Sequence, residues 1–168
     1  LEFRRVLFRS LRALLAEVAG ATAARLRRDV RVQSAGTYVN MEGPAFSTKA
    51  ESNMYRGLGC DVIGMTSLPE AKLCKEAEIC YQSLAMVTDY DCWHATEEAV
   101  NVSMVIEHLA ANTQLAQEIL KALVPLLPDP NPWPCRHALA SAILTAREAM
   151  NPETVSRLAP LLAPHVGG

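Results

Sequence analysis

Residues 88–93, with the sequence Thr-Asp-Tyr-Asp-Cys-Trp, contain the side chains whose types and spacing could do chemistry. Asp89 and Asp91 follow an apolar segment, 79–87, that has the composition of a buried strand. Where such a strand ends, both carboxylates can reach the crevice beyond the carboxyl edge of an α/β sheet, where ligands bind. A half-desolvated carboxyl group there can present a proton to a ring nitrogen, while its neighbour accepts from an amino group. The competing interpretation is a polar turn whose aspartates cap the following loop.

Strand and helix patterns alternate ahead of this stretch. Apolar residues at helical spacing predict a helix that begins at Leu11 and ends among the arginines at 25–28. Alternating or continuous apolar runs rich in β-branched residues predict strands at 29–33, 37–41, 60–65 and 79–87. Between them, helices are predicted at 49–58, where Thr48 and Glu51 have the spacing of a capping box, and at 67–77. Such alternation is typical of an α/β fold with a mostly parallel sheet.

The chain after residue 94 is predicted to be helical. An apolar stripe predicts a helix at 102–124, with Asn101 as its N-cap and Pro125 at its end. Two shorter helices are predicted at 136–149 and, after the start signal Asn151-Pro152, at 152–163. The sequence therefore predicts an α/β domain that ends in helices.

Composition narrows the class of protein. The chain has 168 residues, of which 50% are hydrophobic and 20% charged, and these values predict one soluble globular domain with a real core. A net charge of −2 gives no electrostatic reason to expect nucleic acid or an anionic membrane as a partner. No apolar run approaches the roughly 18 residues that a transmembrane helix needs.

Cysteine and histidine usage indicates the compartment and argues against a metal site. The five cysteines are odd in number and form no C-x-x-C pair, which predicts reduced thiols in a cytoplasmic protein rather than a disulfide framework or a zinc site. The four histidines show no metal-ligand spacing, so no metal is expected.

Residues 1–10 are treated separately from the fold. They are arginine-rich and amphipathic, as a transit peptide would be, but they resemble one translated reading frame of a widely used sequencing adapter. We expect this segment to be non-native and the domain to begin at residue 11.

Three motifs in order carry a family resemblance. The chain resembles the trimeric purine nucleoside phosphorylases, and within them the 5′-methylthioadenosine phosphorylases, over 11 to about 124. The first motif comprises Gly36-Thr37, Glu42-Gly43-Pro44, Phe46-Ser47 and Ala50-Glu51-Ser52. The second comprises Met65-Thr66 and Pro69-Glu70, and the third is the stretch at 88–93. The resemblance implies a mixed sheet of the phosphorylase/nucleosidase type, flanked by helices, and a homotrimer.

The resemblance implies phosphorolysis without a cofactor. Inorganic phosphate, the co-substrate, attacks C1′ of S-methyl-5′-thioadenosine and releases adenine and 5-methylthioribose 1-phosphate. An enzyme for this reaction stabilises electron density that arrives on the departing base and positions an anionic nucleophile.

The residues at 88–93 match the family's base-binding positions. Asp89 matches the residue that shares or donates a proton at purine N7, and Asp91 matches its partner near the 6-amino group, with Ser47 nearby. A carboxylate accepts from an amino group but cannot donate to a 6-keto oxygen unless it is protonated. The pair therefore favours adenine over 6-oxopurines, for which the family typically carries asparagine at the first position.

Further positions match the sugar, phosphate and 5′ subsites. Phe46 matches the aromatic residue that packs on base and sugar, with Glu42 as a looser candidate near the sugar. Met65 matches the ribose contact and Thr66 a phosphate contact at a strand-to-helix turn. The apolar residues that match the 5′-methylthio pocket are Val102, Val105 and Ile106. Plain core packing is the alternative for these three and for Phe46 and Met65.

The phosphate-binding segments of the family have no counterpart in the 168 residues. We therefore expect the chain to be the C-terminal part of a longer protein, without the first strands of the sheet, and to be inactive alone. Two other functions remain open: a related phosphorylase for another purine, such as methylthioinosine, and a non-catalytic module that binds purine nucleosides.

Overall fold

The computed structural model of the chain describes residues 9–94 and 102–166, with side chains from 11 and from 106 onward in those ranges. The chain forms two compact units: unit 1 comprises Leu1–Leu68 and Gln82–Pro128, and unit 2 comprises Pro69–Tyr81 and Asp129–Gly168. The helices and strands are, in chain order, α1 (Arg9–Arg25), β1 (Tyr38–Asn40), α2 (Lys49–Gly57), β2 (Val62–Gly64), α3 (Ser67–Glu76), α4 (Val102–Leu123), α5 (Pro152–Arg157) and α6 (Ala159–Val166).

The core of unit 1 is the contact between α1 and α4. The C-terminal part of the α4 stripe faces the stripe of α1, and the buried residues are Leu15, Val18, Ala19, Ala23, Leu115, Ile119 and Leu123. At the rim, Arg25 pairs with Glu118 at 3.4 Å, and Arg28 donates to the carbonyl oxygen of Ala111 at 3.1 Å. The prediction of a helix at 102–124 is confirmed, whereas its predicted N-cap, Asn101, lies outside the described residues.

Unit 1 also contains a two-stranded parallel sheet, formed by β1 and β2. Tyr38 pairs with Val62, Val39 with Ile63 and Asn40 with Gly64, which confirms two of the predicted strands. Gly64 is needed because the Tyr38 hydroxyl occupies the space that a Cβ would take. Parallel strands end at the same edge, so the turns that follow Asn40 and Gly64 start side by side.

The predicted capping box at the start of α2 is confirmed. The Thr48 amide donates to Glu51 Oε2 at 2.7 Å, and the Glu51 amide donates to Thr48 Oγ1 at 3.3 Å. The bond from the Thr48 amide holds the pKa of the Glu51 carboxyl below its ordinary value. The polar pair therefore fixes where α2 begins, immediately after the predicted base-contacting residues Phe46 and Ser47.

Two predicted strands are absent from the described residues. The segment at 29–33 is irregular and exposed, and 79–87 is not a strand either. An apolar run becomes a strand only where a neighbour pairs with its backbone. At the end of 79–87 that neighbour is a helix, because α4 side chains bond to the carbonyl oxygens of Val87 and Thr88.

Unit 2 contains α5 and α6. Asn151 Oδ1 accepts from the Thr154 amide at 3.1 Å, so the predicted start signal is confirmed, but the predicted helix at 152–163 is divided at Leu158. The predicted helix at 136–149 is wrong: only short 3₁₀ turns form, at Pro134–His137 and Arg147–Ala149. Leu144, which should face a core in that helix, is 91% exposed, and a short helix without a packed apolar face is unstable in water.

A disulfide joins Cys80 and Cys135 within unit 2, so the expectation that all five thiols are reduced is wrong. That expectation rested on the odd number of cysteines and on the absence of a C-x-x-C pair. The bridge, however, links two cysteines that are 55 positions apart. Sequence spacing does not show which distant cysteines the fold brings together.

A half-buried cluster around Glu78 holds the same two segments together. Glu78 Oε1 accepts from the Leu139 amide at 2.9 Å, and Oε2 lies 3.0 Å from His165 Nε2. The bond from Leu139 is the main reason that the pKa of Glu78 lies below its ordinary value; burial opposes this shift and His165 adds to it. Arg136 also donates to the Glu78 carbonyl oxygen at 3.0 Å.

None of the helices within residues 9–94 and 102–166 is both long enough and apolar enough to cross a bilayer.

Two neighbouring residues of α4 test the core. Ile119 is 3% exposed and Leu120 is 49% exposed. Ile119→Ala leaves a cavity between α1 and α4 and should lower the free energy of unfolding by about 3 kcal/mol in a urea titration. Leu120→Ala on the same helix is the control and should cost less than about 1 kcal/mol. Equal losses would contradict the described face of α4.

Glu78 should make the free energy of unfolding of unit 2 depend on pH in the acidic range. Because the folded-state pKa of its carboxyl is lowered, the stabilisation is complete above the ordinary value of 4.5 and is lost as the pH falls through the folded-state pKa. Glu78→Gln should be less stable than wild type at neutral pH, and the difference should shrink on acidification. Urea titrations across pH measure this, with Glu76→Gln, an exposed change on α3, as control. A difference that stays constant with pH would refute the assignment.

Candidate functional site

Two turns meet at the edge where β1 and β2 end. Gly43 has φ +68° and lies so close to Met65 that a Cβ on it would stand 2.9 Å from Met65 Sδ. The Gly43-Pro44 peptide bond, which is cis, belongs to this turn. The Glu42-Gly43-Pro44 motif and the Met65-Thr66 motif, far apart in sequence, therefore pack against each other.

A second contact brings the Phe46-Ser47 segment to the aspartate stretch. Cys92 lies in a 3₁₀ turn, Asp91–Trp93, and its Sγ donates to the Ser47 carbonyl oxygen at 3.4 Å. Ser47 Oγ lies 3.4 Å from Met41 Sδ, immediately after β1. Thus Ser47 lies between the edge of the sheet and the turn that carries Asp91.

Arg56 of α2 holds the same turn from the other side. Its guanidinium lies 3.7 Å above the ring of Trp93, a favourable cation–π distance. Around Trp93, the rings of Tyr90 and His94 complete an aromatic cluster with centroid separations of 5.0 to 6.1 Å.

The two aspartates are bonded to each other through the backbone. The Asp91 amide donates to Asp89 Oδ1 at 2.8 Å, and Thr88 Oγ1 donates to Asp89 Oδ2 at 2.7 Å. This is the polar-turn geometry that was the competing interpretation of the sequence. Asp91 has φ +58°, a left-handed conformation that aspartate tolerates better than most residues. Asp89 is exposed rather than half-buried, so burial does not desolvate it in this structure.

Helix α4 fixes the backbone that leads into Asp89. His108 Nδ1 lies 3.0 Å from the Thr88 carbonyl oxygen, and because a carbonyl only accepts, this nitrogen is the donor. One turn further along, Asn112 Nδ2 donates to the Val87 carbonyl oxygen at 3.2 Å. These bonds satisfy two carbonyl groups that have no strand partner.

Exposure separates candidates for binding from candidates for packing. Phe46 is 86% exposed and Ile106 is 60% exposed, so neither is part of the core, and both are accessible to a ligand. Met65 is half-buried against Gly43, and Thr66 is exposed immediately before α3. The side chains of Val102 and Val105 lie outside the described part of the chain.

Sequence reasoning did not select Asn40, Arg56, His108 or Asn112, the four residues that hold these turns. Each is polar and sits in or beside a regular element, where polar residues usually face water. A helical projection shows His108 and Asn112 four residues apart on one face of α4, which is the signal that could have paired them.

These features define an α/β fold with a candidate ligand site at the edge of its sheet. The family model described as "Phosphorylase superfamily" matches residues 5–125, and the chain belongs to that superfamily. The match includes both strands and the stretch at 88–93.

Curated relatives narrow the likeness to methylthioadenosine phosphorylases. The S-methyl-5′-thioadenosine phosphorylase of Gloeobacter violaceus is 51% identical over 137 residues, which are 80% of this chain and 46% of the relative. That of Geobacter sulfurreducens is 45% identical over 90% of this chain and 50% of its own length. The chain thus spans about half the length of the curated relatives it matches.

Solved structures of methylthioadenosine phosphorylases are also similar to this chain. A methylthioadenosine phosphorylase from an Antarctic soil metagenomic library superposes with TM-score 0.82 at 39% identity, covering 96% of this chain and 55% of that one. The enzyme of Schistosoma mansoni in complex with adenine gives TM-score 0.71 at 29% identity, over 86% of this chain and 55% of that one. The fold class and the family resemblance predicted from the sequence are confirmed.

Replacing Asp89 separates its role in the turn from its chemistry. Asp89→Asn keeps an oxygen that accepts from the Asp91 amide, so its free energy of unfolding should stay within about 0.5 kcal/mol of wild type. Asp89→Ala leaves that amide without its acceptor and should cost roughly 1 kcal/mol. Urea titrations of the two variants measure the difference. Equal stability of Asp89→Asn and Asp89→Ala would show that the bond does not hold the turn.

Proposed function

We propose that the protein phosphorolyses S-methyl-5′-thioadenosine. Phosphate oxygen forms a bond to C1′ as the C1′–N9 bond breaks, the bonding electrons leave with adenine, and a proton reaches N7. The products are adenine and 5-methylthioribose 1-phosphate. The proposal follows the names of the relatives, and one observation in this chain carries it: the contact between Ser47 and Cys92.

That contact supports the proposal because it joins the two segments that carry the candidate base-binding residues. Phe46, whose ring is 86% exposed, lies next to the residue that bonds to Cys92, and Asp91 precedes Cys92 in the same turn. An exposed ring beside a pair of carboxylates suits a flat heterocycle, because the ring stacks on its face while the carboxylates meet its polar edge.

Asp89 and Asp91 interact with different groups of the base. By the family resemblance, Asp89 shares or donates a proton at N7 and so stabilises the electron density that adenine gains as it leaves. Asp91 accepts from the 6-amino group, which orients the ring. Because an ionised carboxylate repels a 6-keto oxygen, this arrangement favours adenine over hypoxanthine.

The remaining residues serve the sugar and the phosphate. Met65 contacts the pentose and Thr66 bonds to a phosphate oxygen where α3 begins, since helix N-termini favour anions. By the family resemblance, Val102, Val105 and Ile106 stand at the positions that bind the methylthio group. Phosphate is the co-substrate, and neither a metal nor an organic cofactor takes part.

The assembly and the compartment are also part of the proposal. We propose a homotrimer, as the family resemblance implies, in the cytoplasm. The disulfide between Cys80 and Cys135 removes the cysteine argument for that compartment, which then rests on the metabolic role alone.

One observation favours a second candidate, a nucleoside-binding module without turnover. Both carboxylate oxygens of Asp89 already accept hydrogen bonds, from Asp91 and from Thr88. Held in this turn as an acceptor of both bonds, Asp89 could serve to bind the base rather than as an acid. A site of that kind would bind adenine without releasing it from a nucleoside.

An adenine-release assay decides between the two. The substrate is S-methyl-5′-thioadenosine, with and without phosphate, and the proteins are the 168-residue chain and a protein of the relatives' length that contains it. We expect adenine only from the longer protein and only with phosphate. Release without phosphate, or none from either protein, would refute phosphorolysis; adenine binding without release would support the second candidate.

Asp89→Asn in the longer protein tests the assigned chemistry. The amide keeps the turn but supplies no acid proton, so kcat for S-methyl-5′-thioadenosine should fall by about a hundredfold, the scale of general acid catalysis. It can also donate to a 6-keto oxygen, so the ratio of 6-oxo to 6-amino activity should rise. Asn53→Asp, an exposed change on α2, is the control. An unchanged kcat would remove Asp89 from the mechanism.

A further inference from the structure

Asn40, the last residue of β1, joins three backbone groups through its half-buried side chain. Nδ2 donates to the carbonyl oxygens of Met41 at 3.1 Å and Met65 at 3.2 Å. Oδ1 accepts from the amide of Leu68 at 3.1 Å. Both N–H groups of Nδ2 therefore have an acceptor, and Oδ1 has a donor.

The bond to Leu68 caps a helix from a distant strand. Leu68 is the second residue of α3, and the first amides of a helix have no acceptor within it. The usual N-cap is a neighbouring side chain. Here the acceptor lies 28 positions earlier in the sequence, so the start of α3 is fixed relative to the sheet rather than only to its own preceding loop.

The two anchor points enclose the turn that carries Met65 and Thr66. One bond holds the Met65 carbonyl and the other holds the Leu68 amide, so the intervening backbone cannot shift without breaking a bond to Asn40. The side chain of Met65 is meanwhile packed on Gly43. The turn is thereby pre-organised before any ligand arrives, which lowers the entropy lost on binding.

We propose that Asn40 is the positioning residue of the Met65–Thr66 turn and so sets the affinity for phosphate and pentose. This inference rests on the proposed function, which gives Met65 and Thr66 their ligands. Asn40 touches neither substrate; it acts through the backbone of the turn.

Asn40→Asp is the sharpest variant, because it preserves shape and the acceptor for Leu68 but removes both donors. In the protein of the relatives' length, KM for phosphate should rise about tenfold, because the bond that holds the Met65 carbonyl is lost. kcat at saturating phosphate should change much less. Asn53→Asp on α2 adds the same charge at an exposed position and should leave KM unchanged.

A pH series distinguishes positioning from a general loss of structure. When the introduced carboxyl is protonated it regains a donor, so the rise in KM caused by Asn40→Asp should shrink on acidification. Asn40→Ala has no proton to regain, and its KM defect relative to wild type should not depend on pH. Activity that falls in proportion to the folded fraction, with KM unchanged, would overturn the proposal.

Amide hydrogen exchange separates this inference from the proposed function. In the 168-residue chain without substrate, exchange at the Leu68 amide should be about tenfold faster in Asn40→Ala than in Asn53→Ala, because the capping acceptor is gone. Unchanged exchange would overturn the positioning role. If exchange is faster in Asn40→Ala but the protein of the relatives' length releases no adenine, Asn40 still positions the turn. The link between that turn and the binding of phosphate and pentose would then be overturned.

Discussion

The parallel pairing of β1 with β2 is the constraint on which the candidate site depends. Only three residue pairs form the ladder, yet they make both strands end at one edge. The turn with Gly43 and the turn with Met65 therefore begin as neighbours, and the segment that follows Gly43 reaches Ser47 and the Asp91–Trp93 turn. A register shift by one residue would move Asn40 away from Met65 and turn its side chain to the other face.

Local signals in the sequence predicted the elements that local chemistry determines. The capping box of Thr48 and Glu51 and the start signal at Asn151 each involve residues within one helical turn, and both are confirmed. The apolar stripes of α1 and α4 predicted part of the buried face, including Leu15, Ile119 and Leu123, whereas Ile106 at the start of the α4 stripe is exposed. These features need no knowledge of distant residues.

The errors concern features that distant residues decide. The segment at 79–87 has the composition of a strand. At its end, however, the carbonyl groups of Val87 and Thr88 bond to Asn112 and His108 of α4, which lie 25 and 20 positions further along the chain. The disulfide between Cys80 and Cys135 is likewise long-range. The candidate site shows the same division: motifs located Phe46, Asp89 and Asp91, whereas the hydrogen bonds around Asp89 came only from the fold.

The disulfide also has a topological consequence. Cys80 and Cys135 belong to unit 2, but the ring they close contains Gln82–Pro128, the part of unit 1 that carries α4. In the chain-entropy description, a ring of 55 residues restricts the unfolded chain by roughly 4 kcal/mol. Part of that restriction falls on a segment that packs against α1 within unit 1. The thiol–disulfide state therefore couples the folding equilibria of both units through the unfolded ensemble, without requiring any contact between them.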